Sequence, residues 1–184
     1  LAELGVADVG ENRDQEAKVK HDQCADLPLT WHCIGQLQTN KAKSVAAWAD
    51  VVHSVDRPEL IAALAKAVTE RATPLTALIQ VNLDPEYRPG RGGADPADVP
   101  GLADSISAVP GLYLAGLMGV APLDEPAGPA FERLARYAQR LRQDHPQATW
   151  ISAGMSGDYA AALENGATHL RLGSSVLGTR PPAG

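Results

Sequence analysis

Short apolar runs alternate with helical patterns along this chain. Strand-like runs fall at Asp8–Glu11, Thr30–Ile34, Val51–Ser54, Leu75–Asn82, Tyr113–Met118, Thr149–Ala153 and His169–Leu172. Strands separated by helices imply a parallel sheet, because each crossover returns the chain to the end where the previous strand began. In "DRPELIAALAKAVTERA", Leu60, Ile61, Leu64, Ala65 and Val68 fall on one helical face. Asp56 and Glu59 stand at capping-box spacing, with Pro58 in the first turn. In "FERLARYAQRLRQDH", Phe131, Leu134, Ala135, Ala138 and Leu141 share a face opposite the arginines. The segment "LDPEYRPGRGGADPADVP" interrupts this rhythm, and its Pro, Gly and charge predict a long mobile loop.

Seven strands leave two architectures open. Eight βα units close into a barrel whose sites lie at the C-terminal ends of the strands, whereas an open doubly wound sheet accommodates seven. The 184 residues fit a single domain with a sizeable core, and no second domain or low-complexity tail is visible.

Composition narrows the partners. The net charge is −6 and no basic stripe is visible, which argues against a nucleic-acid or anionic-membrane surface. The five histidines are scattered and form no metal-spaced cluster with the two cysteines. Cys24 and Cys33 make no CxxC pair, so a reducing, cytoplasmic setting is expected, with Cys33 in the core. No apolar run approaches the roughly 20 residues that span a membrane, and no basic-then-apolar signal opens the sequence.

The candidate chemistry sits near the end, in "SAGMSGDYAAALENGATHLRLGSSVLG". Two small-residue turns, Gly154-Met155-Ser156-Gly157 and Gly173-Ser174-Ser175, each follow a predicted strand, and Arg171 stands just before the second. Ser156 or Asp158 caps a short helix from about Tyr159 to Glu164, and Gly166 ends it. Glycines let backbone N–H groups approach a ligand, and helix N-termini favour anions, so adjacent turns of this kind can cradle a phosphate. Ordinary tight βα loops share the pattern.

"VGENRDQEA", "WHCIGQLQTNKAK", "HSVDRPEL", "LIQVN", "LAGLMGVAP" and "ISAGMSGDYAAALENGATHLRLGSSVLGTR" together resemble the pyridoxal-phosphate homeostasis protein family, small single-domain relatives of the alanine racemase barrel. The resemblance covers nearly the whole chain. It implies a (β/α)8 TIM-type barrel that binds pyridoxal 5'-phosphate (PLP) at its C-terminal face and buffers or delivers that cofactor, without established turnover. PLP-dependent apo-enzymes are the implied recipients, and a monomer is expected.

By the same resemblance, Ser156 matches the phosphate-binding serine, and Gly173 and Ser174 match the second phosphate turn. Arg171 matches the arginine near the pyridine nitrogen, and Asn12 matches the asparagine beside the cofactor. Met155 and Ile34 read as apolar walls. Alternation puts His32 on the face of Ile34, with Trp31 and Cys33 on the other. For His32 a satisfied interior histidine and a ligand contact both remain open. Gln36, Gln38 and Asn40 read as capping and turn residues.

An arginine beside the pyridine ring disfavours ring protonation by charge repulsion, which weakens the ring as an electron sink and disfavours transamination. Racemase chemistry needs a base on each face of the substrate, and none of Tyr87, Tyr113, Tyr137 and Tyr159 sits in an obvious motif for one. A phosphate-substrate barrel enzyme and a PLP-dependent racemase are the alternatives.

One departure stands out. The family carries its Schiff-base lysine at the end of the first barrel strand, and this sequence begins in the helix that follows it. The first strand is therefore missing from the chain, and the native protein is expected to carry further N-terminal residues. Lys18, Lys20, Lys41, Lys43 and Lys66 all fall in helical or polar-loop contexts, so a chain of these residues alone is expected to form no internal aldimine.

Overall fold

A computed structural model describes residues 1–85 and 91–178. Its sheet contains β1 (Asp8–Glu11), β2 (Thr30–Cys33), β3 (Val51–Val55), β4 (Leu75–Val81), β5 (Leu112–Gly119) and β6 (Trp150–Ser152). Each strand pairs in parallel with the next one in sequence. A doubly wound sheet would reverse its strand order at a switch point. Here the order runs straight from β1 to β6. The helices are α1 (Asp14–Gln23), α2 (Ala42–Trp48), α3 (Pro58–Ala67), α4 (Val99–Ser107), α5 (Ala127–Asp144), α6 (Tyr159–Glu164) and α7 (Ser174–Leu177).

The sheet is curled. β3 and β6 are three strand spacings apart, which in a flat sheet is about 14 Å. Yet His53 of β3 and Ser152 of β6 touch, with Nδ1 and Oγ 2.9 Å apart. Only a sheet bent like a barrel wall brings inward side chains that close. The alternation of each strand then divides the core in two. Outward residues such as Trp31, Cys33, Val52, Leu75 and Ile79 join Leu60, Leu64, Phe131 and Leu134 from the helices. Inward residues Val51, Leu78, Ala115 and Met118 form a smaller cluster inside the curve, with Trp150 and Val120 against it. Burial pushes the Cys33 thiol up to about 12, so this cysteine is an inert core residue. Both cysteines are free.

Three expectations need correction. The described sheet has six strands, and its β1 and β6 edges do not pair with each other, so a complete (β/α)8 barrel is not present among the described residues. The expected seventh strand, His169–Leu172, is reduced to one parallel bridge between Ser152 and His169. The pairing starts correctly, with His169 N–H on Ile151 O and Ala153 N–H on His169 O. Gly154 then turns away at φ +89°, and the Arg171 N–H follows it to Gly154 O at 2.9 Å. The capping box of α3 also does not form. Arg57 is its N-cap and makes no side-chain cap bond, because the Asp56 carboxylate is taken by the Arg57 guanidinium. Part of the expected long loop, residues 86–90 including Tyr87, lies outside the described residues.

Gly154 is a position that only glycine fits. An added Cβ would stand 2.7 Å from the Cβ of Ala162 and 3.0 Å from Leu170 Cδ2, on a backbone already left-handed. Gly154→Ala should therefore lower stability by about 2–4 kcal/mol, from left-handed strain plus overpacking. Gly101, inside α4 with open space around it, should show the opposite sign on substitution by Ala, a gain of about 0.5–1 kcal/mol. Urea denaturation of the two variants checks both.

Candidate functional site

Five inward polar side chains form one continuous line across the curve. The Asp8 carboxylate lies 3.0 Å from His32 Nε2. His32 Nδ1 lies 2.8 Å from His53 Nε2, and His53 Nδ1 lies 2.9 Å from Ser152 Oγ. Arg171 closes the line by donating from one terminal nitrogen to Ser152 Oγ at 2.8 Å, and from the other to the Gly119 carbonyl at 3.0 Å. His32, His53 and Ser152 are buried. His169 stacks on Trp150 with ring centres 4.2 Å apart and faces His32 at 6.3 Å.

Above this line the two small-residue turns meet. Ser156 Oγ lies 3.1 Å from Ser175 Oγ and accepts from the Ser175 N–H at 3.2 Å. Gly173 is the N-cap of the short α7, with Ser174 as its first residue. The Met155 N–H is already taken by the Asp158 carboxylate at 2.6 Å, so that amide is not free for an anion. Asp158, not Ser156, is the N-cap of α6, and Gly166 follows its end at φ +81°.

Asn12 and Ile34 stand on the opposite flank, just past the ends of β1 and β2. Gly35 lets these two segments touch, since a Cβ there would sit 2.1 Å from the Asn12 carbonyl oxygen. Ile34 packs its side chain over Gly10. Asn12 lines an open cleft of about 450 Å³ with Gln36, Gln38 and Lys41. A neighbouring cleft of about 440 Å³ is lined by Gln36, Asp56, Arg57 and Arg91. The structure thus joins Ser156 to the Gly173–Ser175 turn and sets Arg171 beside Gly154. Asn12 and Ile34 stand apart from that group, on the other side of the curl. Met155 is exposed. Gln38, expected to cap, is the N-cap of a 3-10 turn at Thr39–Lys41 and makes no side-chain cap bond.

The sequence profile described as "Alanine racemase, N-terminal domain" matches residues 1–181. A pyridoxal phosphate homeostasis protein of Mycobacterium leprae is 38% identical over 97% of this chain and 76% of its own length. One from Corynebacterium glutamicum is 40% identical over 100% of this chain and 84% of its own length. The chain belongs to the pyridoxal phosphate homeostasis family. The solved structure of PipY from Synechococcus elongatus, with PLP bound, matches at a TM-score of 0.82 and 36% identity over 92% of this chain and 80% of PipY. Alanine racemase of Corynebacterium glutamicum shares the fold at a TM-score of 0.68 and 16% identity, over 95% of this chain and 48% of the racemase.

In this homeostasis-family chain, sequence reasoning missed His53, Ser152 and Asp8. The i, i+2 spacing of Val51 and His53, and of Trp150 and Ser152, carried the signal that they face one side. What it did not carry was which strand each would meet. His32 resolves as an interior histidine held on both ring nitrogens. Its face is the one that alternation assigned, with Trp31 and Cys33 packed outward.

The line of side chains shifts its own protonation. Burial lowers Arg171 to about 10, with Asp158 pulling the other way, so it is still a cation at neutral pH. Burial, then His32, Arg171 and His169, lower His53 to about 2. His169 is lowered in the same direction, by burial and then His32. His53 therefore binds a proton more weakly in the fold than unfolded. As pH falls through about 6.5, the unfolded chain gains protons first and stability drops from there toward pH 2. We expect His53→Gln to remove up to ~1.4 kcal/mol per pH unit from the slope of unfolding free energy between pH 6 and 4. Urea titrations across that range check this, and an unchanged slope would contradict the shift.

Proposed function

We propose that this chain binds PLP as a single barrel-type domain and takes part in its intracellular buffering or delivery, without turnover of its own. The observation that carries the reading is the junction of the two turns, Ser156 hydrogen-bonded to Ser175 beside a half-buried, charged Arg171. Membership of the family and the PLP-bound PipY structure support it.

The donor set suits a phosphorylated pyridine. The Ser156 hydroxyl and the N–H groups of the Gly173–Ser174 turn are neutral donors of the kind that bind phosphate oxygens, and charge-assisted bonds of that sort are the strong ones. Arg171 spends one N–H on Ser152 and one on Gly119, which leaves others for a ring nitrogen. Asn12, Ile34 and Met155 would border the ring. PLP supplies an aldehyde that condenses reversibly with amines, and the residues around Arg171 hold its ring in the unprotonated form.

Several features favour holding over catalysis. A guanidinium cannot act as a proton acceptor. Tyr113 is exposed at the start of β5 on the face of Val51 and Ala115, Tyr137 packs against the outer core, and Tyr159 is exposed on α6. Tyr113 stands at the first end of its strand, away from the rim that carries Arg171, and Tyr137 and Tyr159 stand on helices outside the sheet. The recipients in this reading are PLP-dependent apo-enzymes, and the chain acts as a monomer in the cytoplasm.

Ser156→Ala is expected to weaken PLP binding by about 1–3 kcal/mol, the range for hydrogen bonds to charged groups, measured by calorimetric titration. Arg171→Glu is expected to favour ring protonation and so change the absorbance spectrum of bound PLP. An unchanged spectrum with PLP still bound contradicts the role given to Arg171. After borohydride treatment of these 184 residues with PLP, mass spectrometry is expected to find no stoichiometric pyridoxyl group on Lys18, Lys20, Lys41, Lys43 or Lys66. Lys20 is already engaged by Glu11, and Lys41 lies 3.9 Å from Asp14.

A further inference from the structure

We infer that Ser152, His53 and His32 are positioning residues for Arg171, linked in a hydrogen-bond relay that has one allowed proton order and ends on Asp8. The inference rests on the PLP-binding reading for its functional half, and on geometry alone for its structural half.

The proton order follows from the two ends. A guanidinium only donates, so Ser152 Oγ must accept from Arg171. Ser152 is fully buried, so its own hydroxyl proton needs an acceptor, and His53 Nδ1 is the partner at 2.9 Å. His53 Nδ1 then carries no proton, and the ring's proton sits on Nε2. That N–H points at His32 Nδ1, 2.8 Å away, which must accept it. The His32 proton is left on Nε2 and goes to the Asp8 carboxylate at 3.0 Å, an acceptor. Every link has one donor and one acceptor. The reverse order fails at Ser152, whose oxygen would accept from both Arg171 and His53 while its proton stayed buried without a partner. A doubly protonated His53 fails there too, and would set a second cation against Arg171.

The relay does mechanical work on the site. The main chain of Arg171 is held by its N–H on Gly154 O and by the bridge at His169, next to a glycine with a left-handed backbone, and neither contact fixes the end of its side chain. Among the described residues no carboxylate forms an ion pair with its guanidinium, and the acidic influence on it comes from Asp158 of the neighbouring turn. Its orientation therefore depends on the two oxygens it meets, Ser152 Oγ and Gly119 O. The Gly119 oxygen is fixed by the main chain. The Ser152 oxygen is fixed only if its hydroxyl has His53 to donate to.

Two experiments test this on the full 184-residue chain. Long-range proton–nitrogen NMR at neutral pH, without ligand, reads the tautomers directly. Both His32 and His53 should carry their proton on Nε2. A proton on Nδ1 of His53 overturns the relay whatever the protein binds. Calorimetric titration with two probes, PLP and inorganic phosphate, reads the consequence. Ser152→Ala and His53→Leu should each weaken PLP about tenfold, the scale of one hydrogen bond, and leave phosphate affinity within about twofold. His53→Gln keeps an acceptor and a donor and should recover most of the loss. Equal loss of both probes, or His53→Gln behaving like His53→Leu, overturns the positioning role. If the unaltered chain binds neither probe, the PLP-binding reading fails and the functional half of the inference with it, while the tautomers still decide the relay.

Discussion

A guanidinium can be drawn partly out of water only where oxygens close around it. Among the described residues Arg171 meets that demand without an ion pair, by using a main-chain carbonyl and a serine hydroxyl. The rest of the interior follows from that choice. The serine needs an acceptor, the acceptor histidine needs one in turn, and the sequence of needs ends at Asp8, where a carboxylate reaches solvent. A buried polar network of this kind is costly if any member lacks a partner, and specifying when all are satisfied. Here it draws β1, β2, β3 and β6 to one point, where an apolar interior would accept several packings.

The curl of the sheet makes this possible. Consecutive parallel pairing keeps every C-terminal strand end on one rim, so Asn12, Ile34, Ser156 and the Gly173–Ser175 turn all lie on that rim. Function in such folds is assembled on the rim and stability below it. The relay joins the two levels. Its lower members lie in the interior and its upper end, Arg171, lies beside the turns. Two features on the rim work against a simple anion cradle. Asp158 occupies the Met155 amide, and Ser156 spends its oxygen on the Ser175 N–H. In the proposed reading, a phosphate held there would exchange the Ser156–Ser175 contact for its own bonds to both.

Much of this was legible in the sequence, and the gaps have physical causes. Short apolar runs between helical patterns placed six of the strands, and alternation put His32 inside with Trp31 and Cys33 outside. Gly/Ser turns after strands marked the Ser156 and Gly173 loops. The sequence could not show that His53 and Ser152 touch. They are 99 positions apart, and their contact depends on how far the sheet bends, which no local pattern encodes. The seventh strand was misread because the periodicity of His169–Leu172 is right while Gly154, on its partner, breaks the ladder. The capping box at Asp56 and Glu59 was misread for a different reason. Arg57 competes for the same carboxylate, and a charged partner one residue away wins over a backbone amide.

The central claim is that one ligand spans the two turns and Arg171. A crystal structure of the chain grown with PLP tests it most directly. The account predicts phosphate density between Ser156 and the Gly173–Ser174 amides, with the ring nitrogen within hydrogen-bond reach of Arg171 and the Arg171–Ser152 bond kept. PLP bound instead in the cleft lined by Asn12, Gln36 and Lys41, with the two turns still closed on each other through Ser156 and Ser175, would contradict it.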